Sequence, residues 1–176
     1  MFEIRWHGRG GQGSFTGAKL LGVAASIYDQ QYAQAFPSFG PERRGAPVLG
    51  FNRIDSKKIT DRSEIDTCDY IVYLDDTLYD DVVLNDLKNN DAMILINTQK
   101  ESWHDRIKCI DATQIALETL GLPIANTVML GFLASFASNA VTKEACIEAI
   151  RSSMKPSQAD KNIKAFEIAF DKGGNL

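Results

Sequence analysis

The stretch WHGRGGQGSFTGAKLL, residues 6 to 21, sets four glycines into six positions between an apolar run and an alanine-rich one. Glycines at that density allow a sharp turn, leave amide N–H groups bare and let another surface approach the backbone. The preceding FEIRWH reads as a strand, and residues 14 to 29 carry small and apolar side chains at helical spacing, so the local order is strand, glycine loop, helix. Gly8, Arg9, Gly10, Gly11, Gln12 and Gly13 satisfy GxGxxG in the context that seats a pyrophosphate on a helix N-terminus. A nicotinamide-binding unit also needs an Asp or Glu closing its second strand to hold the ribose hydroxyls. Here that strand closes in AFPSF, and the next acid is Glu42. No GK[ST] follows the glycines, which counts against a Walker loop. What remains is a bare backbone with Arg9 and Gln12 as its exposed side chains, beside the plainer reading that Gly13 and Gly17 let the first helix pack closely on the sheet.

Further along, YAQAFPSF reads as a second strand ending near Pro37, GPERRGAP as a turn-rich charged loop, and VLGFNRID as a return to extended chain. YIVYLDD and AMILIN are short apolar runs of the buried parallel-sheet kind, with a polar helical stretch expected over about 77 to 89 between them. IKCIDAT reads as another strand, and helices are expected around 112 to 120, 126 to 138, 142 to 154 and 157 to 171, the third of them capped by Thr142. The expectation is one α/β domain over residues 1 to 176, a three-layer α/β/α sandwich with a mostly parallel sheet and a helical C-terminal third.

Net charge is −4, too acidic for a general nucleic-acid binder, yet residues 1 to 53 carry +3 and the remainder −7. The basic excess coincides with the glycine loop and with AFPSFGPERRGAPVLGFNRI, residues 35 to 54. Both loops leave the carboxyl ends of strands, where parallel sheets form ligand sites, so they can converge and bring Arg43 and Arg44 near Arg9. Phe39, Gly40, Pro41, Arg43, Arg44 and Gly45 are therefore candidates for binding an anionic ligand or a partner, with an ordinary solvated loop as the bland alternative. Phe36, Phe39 and Pro41 are expected to form an apolar patch there. Asp75, Asn97, Asp111, Asn126 and Thr127 are candidates of second rank, placed at strand ends or as helix caps beside the same crevice. His7 is read as a strand-end hydrogen bonder. The scattered Cys68, Cys109 and Cys146 offer neither a disulfide framework nor a local metal motif, and the absence of a signal or membrane-spanning run points to a soluble, cytoplasmic protein.

EIRWHGRGGQG, AQAFPSFGPERRGAPVLGFNRI, LDDTL, LINT, IDAT and NTVMLGFL, at these separations, resemble the gamma subunit of the 2-oxoacid:ferredoxin oxidoreductases, most closely the pyruvate:ferredoxin/flavodoxin enzymes, over nearly the whole chain. Related enzymes acting on 2-oxoisovalerate, 2-oxoglutarate or indolepyruvate carry similar chains. The resemblance implies a complex that decarboxylates a 2-oxoacid with thiamine diphosphate and Mg, passes electrons through [4Fe-4S] clusters to ferredoxin or flavodoxin, and transfers the acyl group to coenzyme A. Three cysteines cannot supply four thiolates to a cubane cluster, and no GDG...N segment offers a thiamine diphosphate site. The implied division of labour puts no cofactor and no catalytic residue in this chain and the cofactors in alpha, beta and delta-type subunits, while its loops help close the active site and position coenzyme A. A stand-alone nucleotide- or dinucleotide-binding enzyme and a purely structural assembly subunit remain the alternatives.

Overall fold

The computed structural model describes residues 1–38 and 45–176. Six strands form one sheet: β1 (Phe2–Arg9), β2 (Tyr32–Pro37), β3 (Pro47–Asp55), β4 (Tyr70–Tyr73), β5 (Met93–Asn97) and β6 (Ile107–Ile110), in the spatial order β2-β3-β1-β4-β5-β6. β1, β4, β5 and β6 are parallel. β3 runs antiparallel to both β1 and β2, so β2 points the same way as β1. The chain leaves β1 toward one side of the sheet and β4 toward the other, which puts the topological switch point at the carboxyl ends of β1 and β4.

Alternation sorts the side chains of β1 and β3 between two faces. Ile4, Trp6 and Ile54 are fully buried on the face covered by α1 (Ser14–Val23), α2 (Ala112–Leu120), α3 (Asn126–Phe136), α4 (Lys143–Ser153) and α5 (Pro156–Gly173). A buried polar link threads that core: Trp6 Nε1 donates to Asn52 Oδ1 at 2.9 Å, and Asn52 Nδ2 donates to the Ala18 carbonyl at 2.8 Å. The other face carries a second apolar cluster built on Ile71, Tyr73, Ile94 and Ile96. Its cover is thin, two 3-10 turns at Asp76–Leu78 and Asp81–Asp86. The sandwich thus has one thick helical layer and one thin one.

Two expected elements change form. The helix expected over 77 to 89 is replaced by these 3-10 turns, because the Asp75 and Asp80 carboxylates accept from Thr77 N and Val82 N and fold the chain locally instead. The helix expected over 14 to 29 is α-helical to Val23 and closes in a π-helical turn, Ala24–Tyr28. Asp29 beyond it accepts from the Thr142 backbone N at 2.7 Å, while Thr142 caps α4 through Ala145 N at 3.2 Å. Strand β6 stops at Ile110 since Asp111 caps α2 by accepting from Gln114 N. No helix among the described residues is long and apolar enough to cross a membrane.

Helices α3 and α5 meet where Gly131 lies against the Phe166 backbone; a Cβ on Gly131 would stand 2.2 Å from the Phe166 carbonyl oxygen. Gly131→Ala is therefore expected to force these helices apart, at a cost of roughly 3 kcal/mol and a fall in melting temperature of roughly 6–12 °C, checked by thermal denaturation followed by circular dichroism.

Candidate functional site

At the carboxyl end of β1 the glycine loop turns into α1. Gly11 and Gly13 have φ of +98° and +84°, a left-handed conformation that side chains resist, and Gly13 is the N-cap of α1 without any side-chain cap on the first-turn N–H groups. A Cβ on Gly8 would stand 2.3 Å from Ser14 Oγ, so Gly8 is needed for the helix to start this close to the strand. Ser14 Oγ is buried and has no partner among the described residues.

The second loop meets the first, as its position predicts. Gly10 N–H donates to the Ala46 carbonyl at 2.9 Å, and Gly45 N–H donates back to the Gly10 carbonyl at 3.2 Å. Gly45, with φ of +81°, makes the turn. Phe39, Gly40, Pro41, Arg43 and Arg44 lie outside the described residues. Phe36, short of them, is half-buried and stacks on Phe51 with ring centroids 5.3 Å apart.

Arg9 and Gln12 depart from expectation, since neither reaches freely into solvent. Arg9 Nε donates to Asp75 Oδ2 at 3.0 Å, its Nη1 to the Gly45 carbonyl at 3.2 Å and its Nη2 to Thr77 Oγ1 at 2.8 Å. Gln12 accepts from Arg9 N at 2.6 Å and donates to Asp75 Oδ2 at 3.1 Å. One carboxylate at the end of β4 therefore ties the glycine loop across the switch point. Burial of Asp75 disfavours its charge, but the bonds from Thr77 and Gln12 and the Arg9 guanidinium outweigh that and hold the carboxyl below its usual range. Part of the basic excess of the N-terminal third is likewise taken up by a distant acid, Arg5 pairing with Asp86, while Arg53 pairs with Glu3 inside that third.

Beside this tether a crevice of about 540 Å3 opens at the ends of β4, β5 and β6, lined by Gln12, Asp75, Asp76, Asn97, Lys100 and Asp111 among others. Asn97 holds its wall: Nδ2 donates to the Leu74 carbonyl at 3.0 Å and to Thr113 Oγ1 at 2.9 Å, and Oδ1 accepts from Thr113 N. Asn126, the first residue of α3, sets its amide against Gly13, where a Cβ would stand 2.5 Å from Nδ2. Asp75, Asn97 and Asp111 thus line one crevice, and Asn126 stands at the glycine loop next to it. Thr127 does not belong to the site. It is fully buried and donates to Asn162 Oδ1 at 2.7 Å, because the second residue of α3 turns inward toward α5; Thr127 caps nothing, whereas Asn126 Oδ1 accepts from the Thr127 backbone N at 2.8 Å in the first turn of α3. Lys100, paired at 3.9 Å with Asp76, escaped the reading of the sequence; its only signal was a polar run directly after β5.

His7 makes no side-chain hydrogen bond among the described residues, contrary to its expected role. Its ring stacks on Tyr73 with centroids 4.3 Å apart, and burial, reinforced by the Arg5 charge against the opposing Asp86, lowers its pKa to about 3. The dinucleotide reading also fails on geometry. The strands beside β1 are the antiparallel β3 and the parallel β4, so no second parallel strand follows α1 next to β1 to present a ribose-binding acid. Burial raises the thiol pKa values of all three cysteines, Cys68 to about 12, which keeps them protonated at neutral pH. Among the described residues, no group of three or more His, Cys, Asp or Glu could hold a metal ion.

Because the native Asp75 pKa is depressed, its contribution to stability is complete above the unfolded value of about 4 and is lost as pH falls through the lower native value. Asp75→Asn is accordingly expected to melt below the wild type at pH 6, with the gap closing toward pH 3. A gap that stays constant over that range would show that the carboxylate charge is not what holds the loop.

The model of the pyruvate ferredoxin/flavodoxin oxidoreductase family matches residues 3–172. The chain is 46% identical over 174 residues to the pyruvate synthase subunit PorC of Methanocaldococcus jannaschii, covering 98% of this chain and 97% of that one. It is 44% identical over 181 residues to the pyruvate/ketoisovalerate oxidoreductases common subunit gamma of Thermococcus kodakarensis, covering 98% and 97%. The crystal structure of pyruvate oxidoreductase subunit PORC from Thermotoga maritima superposes with a TM-score of 0.82 at 34% identity, over 97% of this chain and 95% of that one. This chain belongs to the pyruvate ferredoxin/flavodoxin oxidoreductase family.

Proposed function

We propose that the chain is the gamma subunit of a cytoplasmic pyruvate (2-oxoacid):ferredoxin or flavodoxin oxidoreductase, inactive alone, whose glycine loop and facing loop position coenzyme A at the complex's active site. Thiamine diphosphate, Mg and [4Fe-4S] clusters belong, on this reading, to alpha, beta and delta-type partners, in keeping with the protonated thiols of this chain. The observation that carries the proposal is the pair of backbone bonds joining Gly10 to Gly45 and Ala46 at the switch point. It brings the end of the arginine loop to the uncapped N-terminus of α1, where amide donors and a helix dipole favour a phosphate. Arg9 acts there as a positioning residue, its guanidinium already engaged by Asp75, and Arg43 and Arg44 are the cations proposed to meet the anion. Asn126 offers its amide to the same mouth. The Thermococcus relative is named as common to pyruvate and ketoisovalerate oxidoreductases. A chain shared by two such enzymes does not itself select the 2-oxoacid, which fits a role toward the second substrate.

The test is reconstitution of the complex with Arg43→Ala, Arg44→Ala and the double substitution. Each lost charge-assisted contact is expected to cost about 1.5–3 kcal/mol, raising the KM for coenzyme A roughly tenfold or more while KM for the 2-oxoacid and thermal stability hold. Failed assembly would assign the loop to a subunit interface instead, and an unchanged double variant would leave a purely structural subunit.

A further inference from the structure

Four buried side-chain polar atoms lack a hydrogen-bond partner among the described residues, and three of them, Arg5 Nε, His7 Nε2 and Arg53 Nη1, lie on one face of the β1–β3 pair. That face is the thinly covered one, and a cavity of about 1030 Å3 opens on it, walled by residues 33–38 and 62–66. It shares no described lining residue with the carboxyl-edge crevice. His7 is stacked on Tyr73 and does not line it. The two arginines do. Arg53 is 1% exposed and donates Nε to Glu3 at 3.0 Å and Nη2 to Ser63 Oγ and the Glu64 carbonyl, leaving Nη1 unused. Arg5 pairs through Nη2 with Asp86, and its Nε is left over. Arg5 lies across from Phe51 in the ladder and Arg53 across from Glu3, so the two arginines are diagonal neighbours on one face of the sheet. Buried donors of this kind are costly to folding until an acceptor reaches them.

The surroundings define that acceptor. Among the described lining residues three arginines, Arg5, Arg53 and Arg62, face three acids, Glu64, Asp66 and Asp86. Such a wall offers directed N–H donors without a positive field, which suits one carboxylate and disfavours a phosphate dianion. Its apolar part is the stacked pair Phe36 and Phe51, with Phe36 standing over the Arg53 guanidinium, ring centroid 5.8 Å from Cζ. A concave site of this size, apolar with a few fixed donors, matches what small organic ligands occupy. We propose that this cavity binds a small monocarboxylate with a planar apolar body, the carboxylate accepting from Arg53 Nη1 and Arg5 Nε once the Phe36 ring turns aside, and the body lying along Phe51. The site is separate from the one proposed for coenzyme A and stands or falls without it.

The probe is phenylacetate, titrated into the 15N-labelled full chain while the arginine Nε–Hε and residue 33–38 amide resonances are followed, with benzyl alcohol and inorganic phosphate as controls. Saturable shifts with phenylacetate alone are expected, and Arg53→Lys, which retains the cation beside Glu3 but lacks Nη1, is expected to weaken binding by about tenfold or more. Arg5→Gln is expected to act in the same direction and serves if Arg53→Lys does not fold. The proposal is overturned by the absence of saturation up to about 50 mM, well beyond the millimolar range of a weak specific site. A matching response to phosphate or benzyl alcohol, or variants that bind like the wild type, overturns it equally.

Discussion

The pairing of β1 with β3, antiparallel over eight residues from Phe2 opposite Ile54 to Arg9 opposite Pro47, governs the molecule. It seats β3 in the place that a parallel neighbour of β1 holds in a dinucleotide-binding sheet, and it returns the chain after the second loop to the point where the glycine loop begins. The same register sends Trp6 and Asn52 into the helical core and Arg5 and Arg53 to the opposite face. A slip of β3 by one residue would turn its side chains over, sending Arg53 toward the helices and taking Asn52 away from Trp6. Two unlike concave regions, one at the strand ends and one on the sheet face, thus depend on a single ladder.

Features set by near neighbours were legible in the amino-acid sequence. The strand, glycine loop and helix at the start, the Thr142 cap and the later helices each rest on contacts within a few residues, and they stand close to where pattern and propensity put them. Misreadings came where a local signal met a distant partner. Arg9 looked like a free cation because Asp75 lies 66 positions away. The charge asymmetry of the two chain segments was partly offset on folding, Arg5 finding Asp86 and Arg9 finding Asp75 across the divide. Residues 77 to 89 looked helical by spacing, yet their aspartates satisfy the backbone one turn at a time. The sheet-face cavity had a faint signal in the charged positions of β1 and β3, Arg5 and Arg53, where a strand buried on both faces would be apolar. Of the candidate site, the glycine loop and its meeting with the second loop could be foreseen; Thr127 could not be assigned without knowing which way α3 turns.

The chemistry of the side chains agrees with membership of a multi-subunit family. Cys68 and Cys146 are buried and Cys109 partly so, which holds the thiols neutral, His7 is held neutral by its burial, and the carboxylates near the crevice act as caps and tethers. What the chain contributes is shape: a crevice, a loop junction and donors that point.

The tether around Asp75 has a consequence for how quickly a ligand is captured. Because Arg9, Gln12, Thr77 and the Gly45 carbonyl fix the glycine loop from within the fold, the loop's conformational entropy is already surrendered when the protein folds. An anion reaching the mouth of α1 would meet glycine-loop amides that are aimed in advance. Association there is governed by diffusion and steering rather than by rearrangement, and discrimination rests on fit to a fixed shape.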